Sequence, residues 1–290
     1  GDLLGLLPLY VYATPTGERQ LLLIGAGTSD YLDGLFHAAT NAPQLAHQAL
    51  RFALSEIPIR DTLHLAQLRP ASPLLEAVAT QDFAAQINVT DAEPCSLIDV
   101  AQPLPAKVRA NAGRYRRRIE TRGVLASTIA VSVVEALENF AHLQQFHQHR
   151  WDSRGEVGVL SDSRVQAHHR DTIPALLAAG LLRFFRLTLN GETLGVLYAL
   201  SDPPTHAQRR LYLYLIGFDV RFAEFSPGTL LLHEVWKYAR HEGYSHIDLL
   251  RGGEEYKQLW GAHAQPTFTI RGDANRSRQP LPRTEEPQPV

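Results

Sequence analysis

The sequence predicts an α/β protein with mixed, mainly antiparallel, twisted sheets flanked by helices. Three observations predict this class. The chain has 290 residues, and at about 150 residues per domain this length suggests two domains or one large one. Short apolar runs alternate along the chain with stretches of helical periodicity. In the second half, three successive strand-like runs lead into a strand–helix–strand unit, which combines antiparallel with parallel pairing.

The composition limits the functional class. Hydrophobic residues make up 44% and charged residues 20%, and the net charge is −2. These values are typical of a globular protein with a sizeable core, and a protein that binds nucleic acid mainly through phosphate contacts is usually far more basic. The single cysteine, Cys95, excludes an internal disulfide and a Cys-rich metal site, and it favours a reducing, cytoplasmic location. The longest apolar run, 173–182, is too short for a membrane span, which needs about 20 residues.

The first part of the chain begins with a predicted β-hairpin. The apolar runs 9–12 and 21–24 flank a turn-forming segment at 14–17. A Gly-x-Gly loop follows at 25–30, as in a dinucleotide-binding turn, but position 30 is Asp where that motif has its third glycine. We therefore interpret the loop as a turn that needs glycine, followed by a helix over 44–54.

A basic segment follows at 103–123 and is predicted to be a helix, with Pro105 near its start and Gly123 at its end. Two interpretations stay open for its charges. The segment is either a solvated helix that joins two lobes or an anion-facing surface for a phosphorylated or nucleic-acid partner. The basic residues are Lys107, Arg109, Arg114, Arg116, Arg117, Arg118 and Arg122.

The second half is more regular. Helical spacing predicts helices over 134–149 and 170–182. Two apolar runs, 182–189 and 192–200, are joined by Asn190-Gly191. Asn-Gly favours a tight hairpin because both central turn residues need positive φ. A third strand is predicted over 211–218.

A strand–helix–strand unit completes this half. The loop 219–228 leads into a helix over 229–241, and the segment 245–250 reads as the next strand. The backbone N–H groups at Gly228-Thr229 are at the positive end of the helix dipole. A pyrophosphate is predicted to bind there.

These residues together resemble a known family. The segments 226–231 and 247–257, with the pattern Asp248-x-x-Arg251-Gly252-x-x-x-Tyr256-Lys257, look like the GNAT acyltransferase fold and, more narrowly, the CelD-type (cellulose-biosynthesis-related) acetyltransferases. The chain is also distantly similar to the Fem-type aminoacyltransferases. Further stretches that agree are 9–12, 25–31, 114–120 and 150–155, so the resemblance covers roughly residues 5–270. One departure stands out: a single glycine, Gly228, is present where GNAT phosphate loops have several.

The resemblance implies two GNAT-like lobes in tandem. We expect a degenerate N-terminal lobe over 1–112, an acyltransferase domain over 113–272 and, from its Pro/Glu/Arg-rich composition, a disordered tail over 273–290. The strands of 9–24 and 182–218 should then lie in different sheets. The implied activity is transfer of an acyl group, acetyl in the first instance, from acyl-CoA to an amine or hydroxyl acceptor in exopolysaccharide, cellulose or cell-envelope metabolism. An aminoacyl-tRNA donor, or a non-catalytic accessory role, are the alternatives.

The resemblance also implies the residues of the site. Tyr256 would protonate the leaving thiolate, or else pack on Trp260. Asp248 would be a base, or an ion-pair partner of Arg251 or Lys257, on the strand face opposite Ile247. Lys257 would contact donor phosphates or an oxyanion, or be an exposed helix lysine, and Glu224 would be a second base or a surface residue. Implied donor contacts are Phe218, Ser226, Gly228, Thr229, Leu230 and Arg251.

No metal is expected. The histidine pairs at 147/149 and 168/169 lack the i, i+4 spacing with an intervening Glu that marks a helical zinc site. His233, on the helix after the phosphate loop, is interpreted as solvated. We expect the acceptor to be a small molecule, a saccharide or a peptide, and expect no nucleic-acid partner except tRNA under the alternative.

Overall fold

The computed structural model describes residues 2–56, 61–80, 83, 87–152, 155 and 158–273. The predicted tail at 273–290 lies outside the described residues except for Asp273. Contacts between residues divide the chain into two compact units: unit 1 comprises residues 1–94 and 266–290, and unit 2 comprises residues 95–265. These bounds differ from the predicted lobes at 112 and 272.

Unit 1 combines short strands with two helices. Its elements are β1 (Gly5–Leu6), β2 (Leu9–Ala13), β3 (Arg19–Leu23), β4 (Leu35–Phe36), α1 (Ala42–Glu56), β5 (Asp61–Leu68) and α2 (Pro73–Val78), with the first part of β6 (Ile87–Asp99). The predicted hairpin is confirmed, since β2 and β3 pair antiparallel from Leu9↔Leu23 to Ala13↔Arg19. The glycine turn is confirmed too, because Gly25 and Gly27 have φ of +96° and +89°. The helices cover a core that includes Leu23, Leu50, Leu63, Leu65 and Leu74.

Unit 2 contains the last part of β6 and the elements that follow it. They are α3 (Ala106–Glu120), β7 (Leu125–Ile129), α4 (Val133–Asp152), α5 (Ser163–Ala178), β8 (Leu182–Leu189), β9 (Glu192–Ser201), β10 (Arg210–Phe218), α6 (Pro227–His241), β11 (His246–Arg251), α7 (Glu255–Leu259) and the start of β12 (His263–Asp273). Short 3₁₀ helices span Val159–Ser161 and Val220–Phe225. The Asn190-Gly191 hairpin is confirmed, with φ of +50° and +86° at its two turn residues.

Alternation along the strands of unit 2 separates two apolar layers. Phe185 and Leu197 pack in the layer that contains α3 and α6. Their neighbours Phe184 and Tyr198 pack in the other layer, with residues of α4 and α5. Because successive side chains of a strand point to opposite faces, one sheet serves two helical layers. Helices therefore flank both faces of this part of the sheet.

Ten strands are hydrogen-bonded in the order β2-β3-β5-β12-β6-β11-β10-β9-β8-β7. Among the described pairings whose register is resolved, β3–β5 and β10–β11 are parallel and the others antiparallel. The predicted class, a mixed and mainly antiparallel sheet flanked by helices, is confirmed. The prediction that 9–24 and 182–218 lie in different sheets is wrong, because the strands of both segments belong to the same ten-stranded sheet.

Candidate active site

The parallel strands β10 and β11 are hydrogen-bonded only at their N-terminal ends. They pair at Arg210↔His246, Leu211↔Ile247 and Tyr212↔Asp248. Within the described residues no further pairing joins them, although β10 continues to Phe218. β10 is also irregular against β9 between Leu213 and Leu215. Strands that separate in this way leave backbone groups between them that a ligand can use. The carboxyl ends of β10 and β11 therefore form the natural place for a site.

Helix α6 begins close to the end of β10. Its N-cap residue, Ser226, has a left-handed backbone (φ +50°, ψ +62°), and its side chain makes no capping hydrogen bond. Instead, Ser226 Oγ lies 2.8 Å from Thr229 Oγ1, and the Ser226 carbonyl accepts from the N–H groups of Thr229 and Leu230. No carboxylate is present in the first turn. The positive end of this helix thus carries no side-chain anion of its own, as an anion site requires.

Gly228 leaves room at this helix start. A Cβ placed there would lie 3.7 Å from Cε1 of Phe218 and 3.8 Å from Cδ1 of Ile216, which are ordinary contact distances. Phe218, at the end of β10, is half-buried, as are Ser226, Gly228 and Thr229, whereas Leu230 is buried in the core. The structure therefore places five of the six predicted donor contacts around one helix start. Leu230 presents its side chain to the interior.

The turn after β11 is built around Asp248. Its carboxylate is fully buried, with Oδ1 accepting a 2.9 Å hydrogen bond from the backbone N–H of Leu250 and Oδ2 lying 3.9 Å from Nη1 of Arg210. Asp248 was predicted to lie on the face of the strand that points away from the core. This prediction is wrong, because the side chain is fully buried and both faces of the sheet are covered here. Arg210, which the sequence did not indicate, is a cation close to this carboxylate. The half-buried Arg251, the sixth predicted donor contact, lies in this turn.

Lys257 is buried, with 3% of its side chain exposed. Its Nζ donates to the carbonyls of Leu250, Arg251 and Gly252 at 3.1, 2.5 and 3.2 Å, and lies 2.9 Å from Oε2 of Glu254. The alternative of an exposed helix lysine is wrong. Its contacts in this structure are to the turn that precedes it.

Tyr256 is 44% exposed and is the open side chain of this group. Partial burial of the phenol, and then the Glu254 carboxylate, raise the pKa of Tyr256 to about 12, while the positive charge of Arg150 acts in the opposite direction. Arg150 also acts on Glu254, whose pKa is lowered although burial, the largest influence, opposes the shift. The Lys257 hydrogen bond and the charges of Lys257 and Arg150 lower it. The last turn of α4 therefore lies near α7.

The end of α4 contributes residues that sequence reasoning did not assign to the site. His149 acts electrostatically on Asp219, directly after β10, and Trp151 Nε1 donates to the buried His147 Nε2 at 2.9 Å. In the sequence, Arg150 and Trp151 were noted only as part of the segment 150–155, which resembles the GNAT family. The signal that could have found them is their position in the last turn of a helix that packs across β10.

Glu224 lies apart from the turn after β11. It is in the 3₁₀ helix before α6, half-exposed, and forms an ion pair with Arg118 of α3, whose Nη1 also donates to the Glu224 carbonyl at 3.3 Å. Arg116 pairs with Glu234 of α6 at 2.7 Å. Two of the arginines in the basic segment therefore tie α3 to its neighbours, while Arg114 and Arg117 are exposed.

Some histidines of this unit pack among other side chains. His169 is buried among Phe140, Tyr198 and Tyr214, with ring centroids 5.5–5.6 Å away. The prediction of a solvated His233 is wrong, because this residue is half-buried and stacks on Trp236 at 6.3 Å. Within the described residues, no group of three His, Cys, Asp or Glu side chains could hold a metal ion. None of the helices in the described part of the chain is both long and apolar enough to cross a membrane.

Residues 106–258, just over half of the chain, match the acetyltransferase (GNAT) domain family, and the chain belongs to that family. No curated protein matches the chain in sequence.

Several solved structures share the fold. The C-terminal domain of a protein described as a lysylphosphatidylglycerol synthetase from Agrobacterium fabrum is 13% identical with a TM-score of 0.58, and the match covers 91% of this chain and 83% of that one. L-PGS from Bacillus licheniformis is 11% identical (TM-score 0.59, 93% and 85% covered). FemX is 13% identical (TM-score 0.54, 90% and 88% covered). At identities of 11–13%, these matches show a shared fold and nothing more.

Proposed function

We propose that this protein transfers an acyl group, acetyl in the first instance, from acyl-CoA to an amine or hydroxyl acceptor. The observation that carries the proposal is the helix start at Gly228, which has no side-chain cap and lies beside Ile216 and Phe218 at the end of β10. A pyrophosphate is a suitable anion for such a helix start, and the separated strands can receive the pantetheine arm. Family membership supports acyl transfer as the reaction type.

The chemistry is a direct displacement at the thioester carbonyl. The acceptor nitrogen or oxygen attacks the carbonyl carbon, the C–S bond breaks, and the thiolate leaves with the electron pair. Tyr256 donates its phenolic proton to that sulfur, and the acceptor loses its proton to water or to a base. Since the pKa of Tyr256 is raised to about 12, the phenol holds its proton at neutral pH. The raised pKa also makes it a weaker acid, so proton transfer has to accompany the build-up of charge on the leaving sulfur.

The remaining predicted residues have supporting roles in this proposal. Asp248 and Lys257 shape the turn after β11, which favours positioning over a base or phosphate-binding role. Glu224 is paired with Arg118, and as a base it would need to leave that pair. The proposal extends to three further points. Residues 1–112 form a degenerate acyltransferase lobe, and the pattern ending in Tyr256-Lys257 places the chain with the CelD-type acetyltransferases. The acceptor comes from exopolysaccharide, cellulose or cell-envelope metabolism. We also propose a cytoplasmic location, because the chain has a single cysteine, Cys95, and so forms no internal disulfide.

A thermal-shift panel tests the donor. Acetyl-CoA, longer acyl-CoAs and tRNA are each added to the full chain, with Gly228→Glu as the matched control. A donor at 100 times its dissociation constant stabilises the fold by about 2.7 kcal/mol. Stabilisation by an acyl-CoA that is lost in Gly228→Glu supports the proposal. Stabilisation by neither donor would favour the non-catalytic alternative.

An aminoacyl-tRNA donor is the second candidate. The likeness to FemX, together with the exposed Arg114 and Arg117 on α3, favours it. Under this candidate, the double variant Arg114→Glu/Arg117→Glu weakens tRNA binding and reduces its salt dependence, whereas CoA binding is unchanged. Stabilisation by tRNA in the absence of any effect of acyl-CoA would replace the first proposal with this one.

A further inference from the structure

The sequence contains three lysines, and they differ sharply in environment. Lys107 on α3 is exposed, and Lys237 on α6 has 52% of its side chain exposed. Lys257 has 3% exposed. A buried ammonium is costly unless polar groups surround it. The partners of Lys257 therefore indicate why the chain keeps a charge at this position.

Those partners use the whole donor capacity of the ammonium. Lys257 Nζ donates to three successive carbonyls, those of Leu250, Arg251 and Gly252, and the Glu254 carboxylate lies 2.9 Å away. An ammonium has three N–H donors and no acceptor. Contact with a donor phosphate or with an oxyanion would have to displace one of these carbonyls.

The segment held in this way has an unfavourable backbone. Leu250 has φ of +61° and Gly252 has φ of +118°. A left-handed non-glycine residue persists only where its surroundings impose it. Here Asp248 accepts from the Leu250 N–H on one side, and Lys257 holds the carbonyls on the other. Both ends of the strained peptide are thus fixed by buried side chains.

We infer that Lys257 is a positioning residue that fixes the turn 248–254 and thereby orients the next-door Tyr256. Tyr256 and Lys257 share the five-residue helix α7, so anchoring one side chain to the turn constrains where the other points. The inference rests on the proposed function, because it has Lys257 position Tyr256, the proposed acid of that reaction. In this role Lys257 does not bind the phosphates of the donor.

NMR of the lysine side chains tests the contact directly. In protein labelled with ¹⁵N-lysine, at most three ammonium signals arise, and Lys107→Arg and Lys237→Arg identify the two exposed ones. We expect the Lys257 signal to exchange slowly with water and to stay in place when CoA is added. Rapid exchange, or a large shift of this signal on CoA binding, would overturn the inference. This measurement needs no variant of Lys257.

A double-mutant cycle tests the route through Tyr256. Lys257→Met should lower kcat by about 10²-fold, as a misplaced group of this kind does, with KM for acyl-CoA and CoA affinity nearly unchanged. Adding Tyr256→Phe to Lys257→Met should then cost little more, since two residues that act as a unit are not additive. Full additivity, or a loss confined to KM, would count against positioning. A chain that neither binds CoA nor transfers acyl groups fails the proposed function itself, whereas CoA binding with a displaced Lys257 signal defeats this inference alone.

Discussion

The carboxylate of Asp248 accepts a hydrogen bond from the backbone N–H of Leu250, two residues further along the chain, at 2.9 Å. Pairing of β11 with β6 is irregular between Asp248 and Arg251, so the side chain takes over a donor that a regular strand would satisfy. Leu250 adopts φ of +61° at this point. A buried side chain thus ends the strand and starts the turn that leads to Tyr256.

Asp248→Ala should destabilise the protein strongly. The change removes the hydrogen bond to Leu250 and leaves the Arg210 guanidinium beside an empty site, and breaking a buried charge pair costs about 3–5 kcal/mol. Urea unfolding measures the loss. Asp162→Ala is the control, since this half-exposed carboxylate caps α5 and its removal should cost much less than that of Asp248. Equal losses in the two variants would contradict the structural role of Asp248.

Tyr256→Phe should lower kcat by about 10²- to 10⁴-fold while KM hardly changes, because only the proton donor is lost. Steady-state assays with acetyl-CoA, read by release of the CoA thiol, check this result. Tyr12→Phe is the matched control, because Tyr12 has the same 44% exposure. A decrease of only a few-fold would remove Tyr256 from the mechanism.

The pH profile of kcat should show no descending limb from Tyr256 at the ordinary phenol value near pH 10. Burial and the Glu254 carboxylate raise the pKa of Tyr256 to about 12, and a raised pKa keeps an acid protonated to higher pH. Glu254→Gln should move that limb to lower pH. A limb already present near pH 10 that Tyr256→Phe abolishes would show that the phenol titrates normally.

Two substitutions at Gly228 should separate space from charge. Gly228→Ala should leave CoA affinity nearly unchanged, because the added Cβ meets Phe218 and Ile216 at ordinary distances. Gly228→Glu should weaken CoA binding at least about tenfold, or 1.4 kcal/mol, since a carboxylate at the helix start repels the pyrophosphate. Calorimetric titration with CoA checks both. Unchanged binding by Gly228→Glu would place the donor elsewhere.

Stability should fall as the pH drops below about 6.5, the ordinary histidine value. Burial lowers the pKa of both His147 and His169, so the unfolded chain takes up protons before the folded one does. This stabilisation is present above the unfolded pKa and is lost as the pH falls. Urea midpoints at about pH 7.5 and 5.5 measure it. His169→Phe, which keeps an aromatic ring in the layer, should flatten the dependence, and an unchanged slope would contradict it.

Local patterns predicted some elements well. Asn190-Gly191 predicted its hairpin because two positive φ values are a local requirement. Helix α6 was predicted within two residues of its start, since its apolar face repeats along one segment. Strand β7 was missed because its residues are half-exposed or exposed and show no alternation. Strand β12 was missed as well, and its pairing with β5 is a long-range contact.

The residues of the candidate site could be named from the sequence alone, by two routes. Helical periodicity placed Gly228 at a helix start, and the resemblance to the GNAT acyltransferases implied Asp248, Tyr256 and Lys257 after the next strand. The pairing of charged groups, in contrast, depends on the tertiary structure. Arg210 reaches Asp248 from the neighbouring strand, Arg150 acts on Tyr256 from the end of α4, and Lys257 turns inward to three carbonyls. These pairings depend on how distant segments pack, and packing is a property of the whole sheet and its helices that no local pattern encodes.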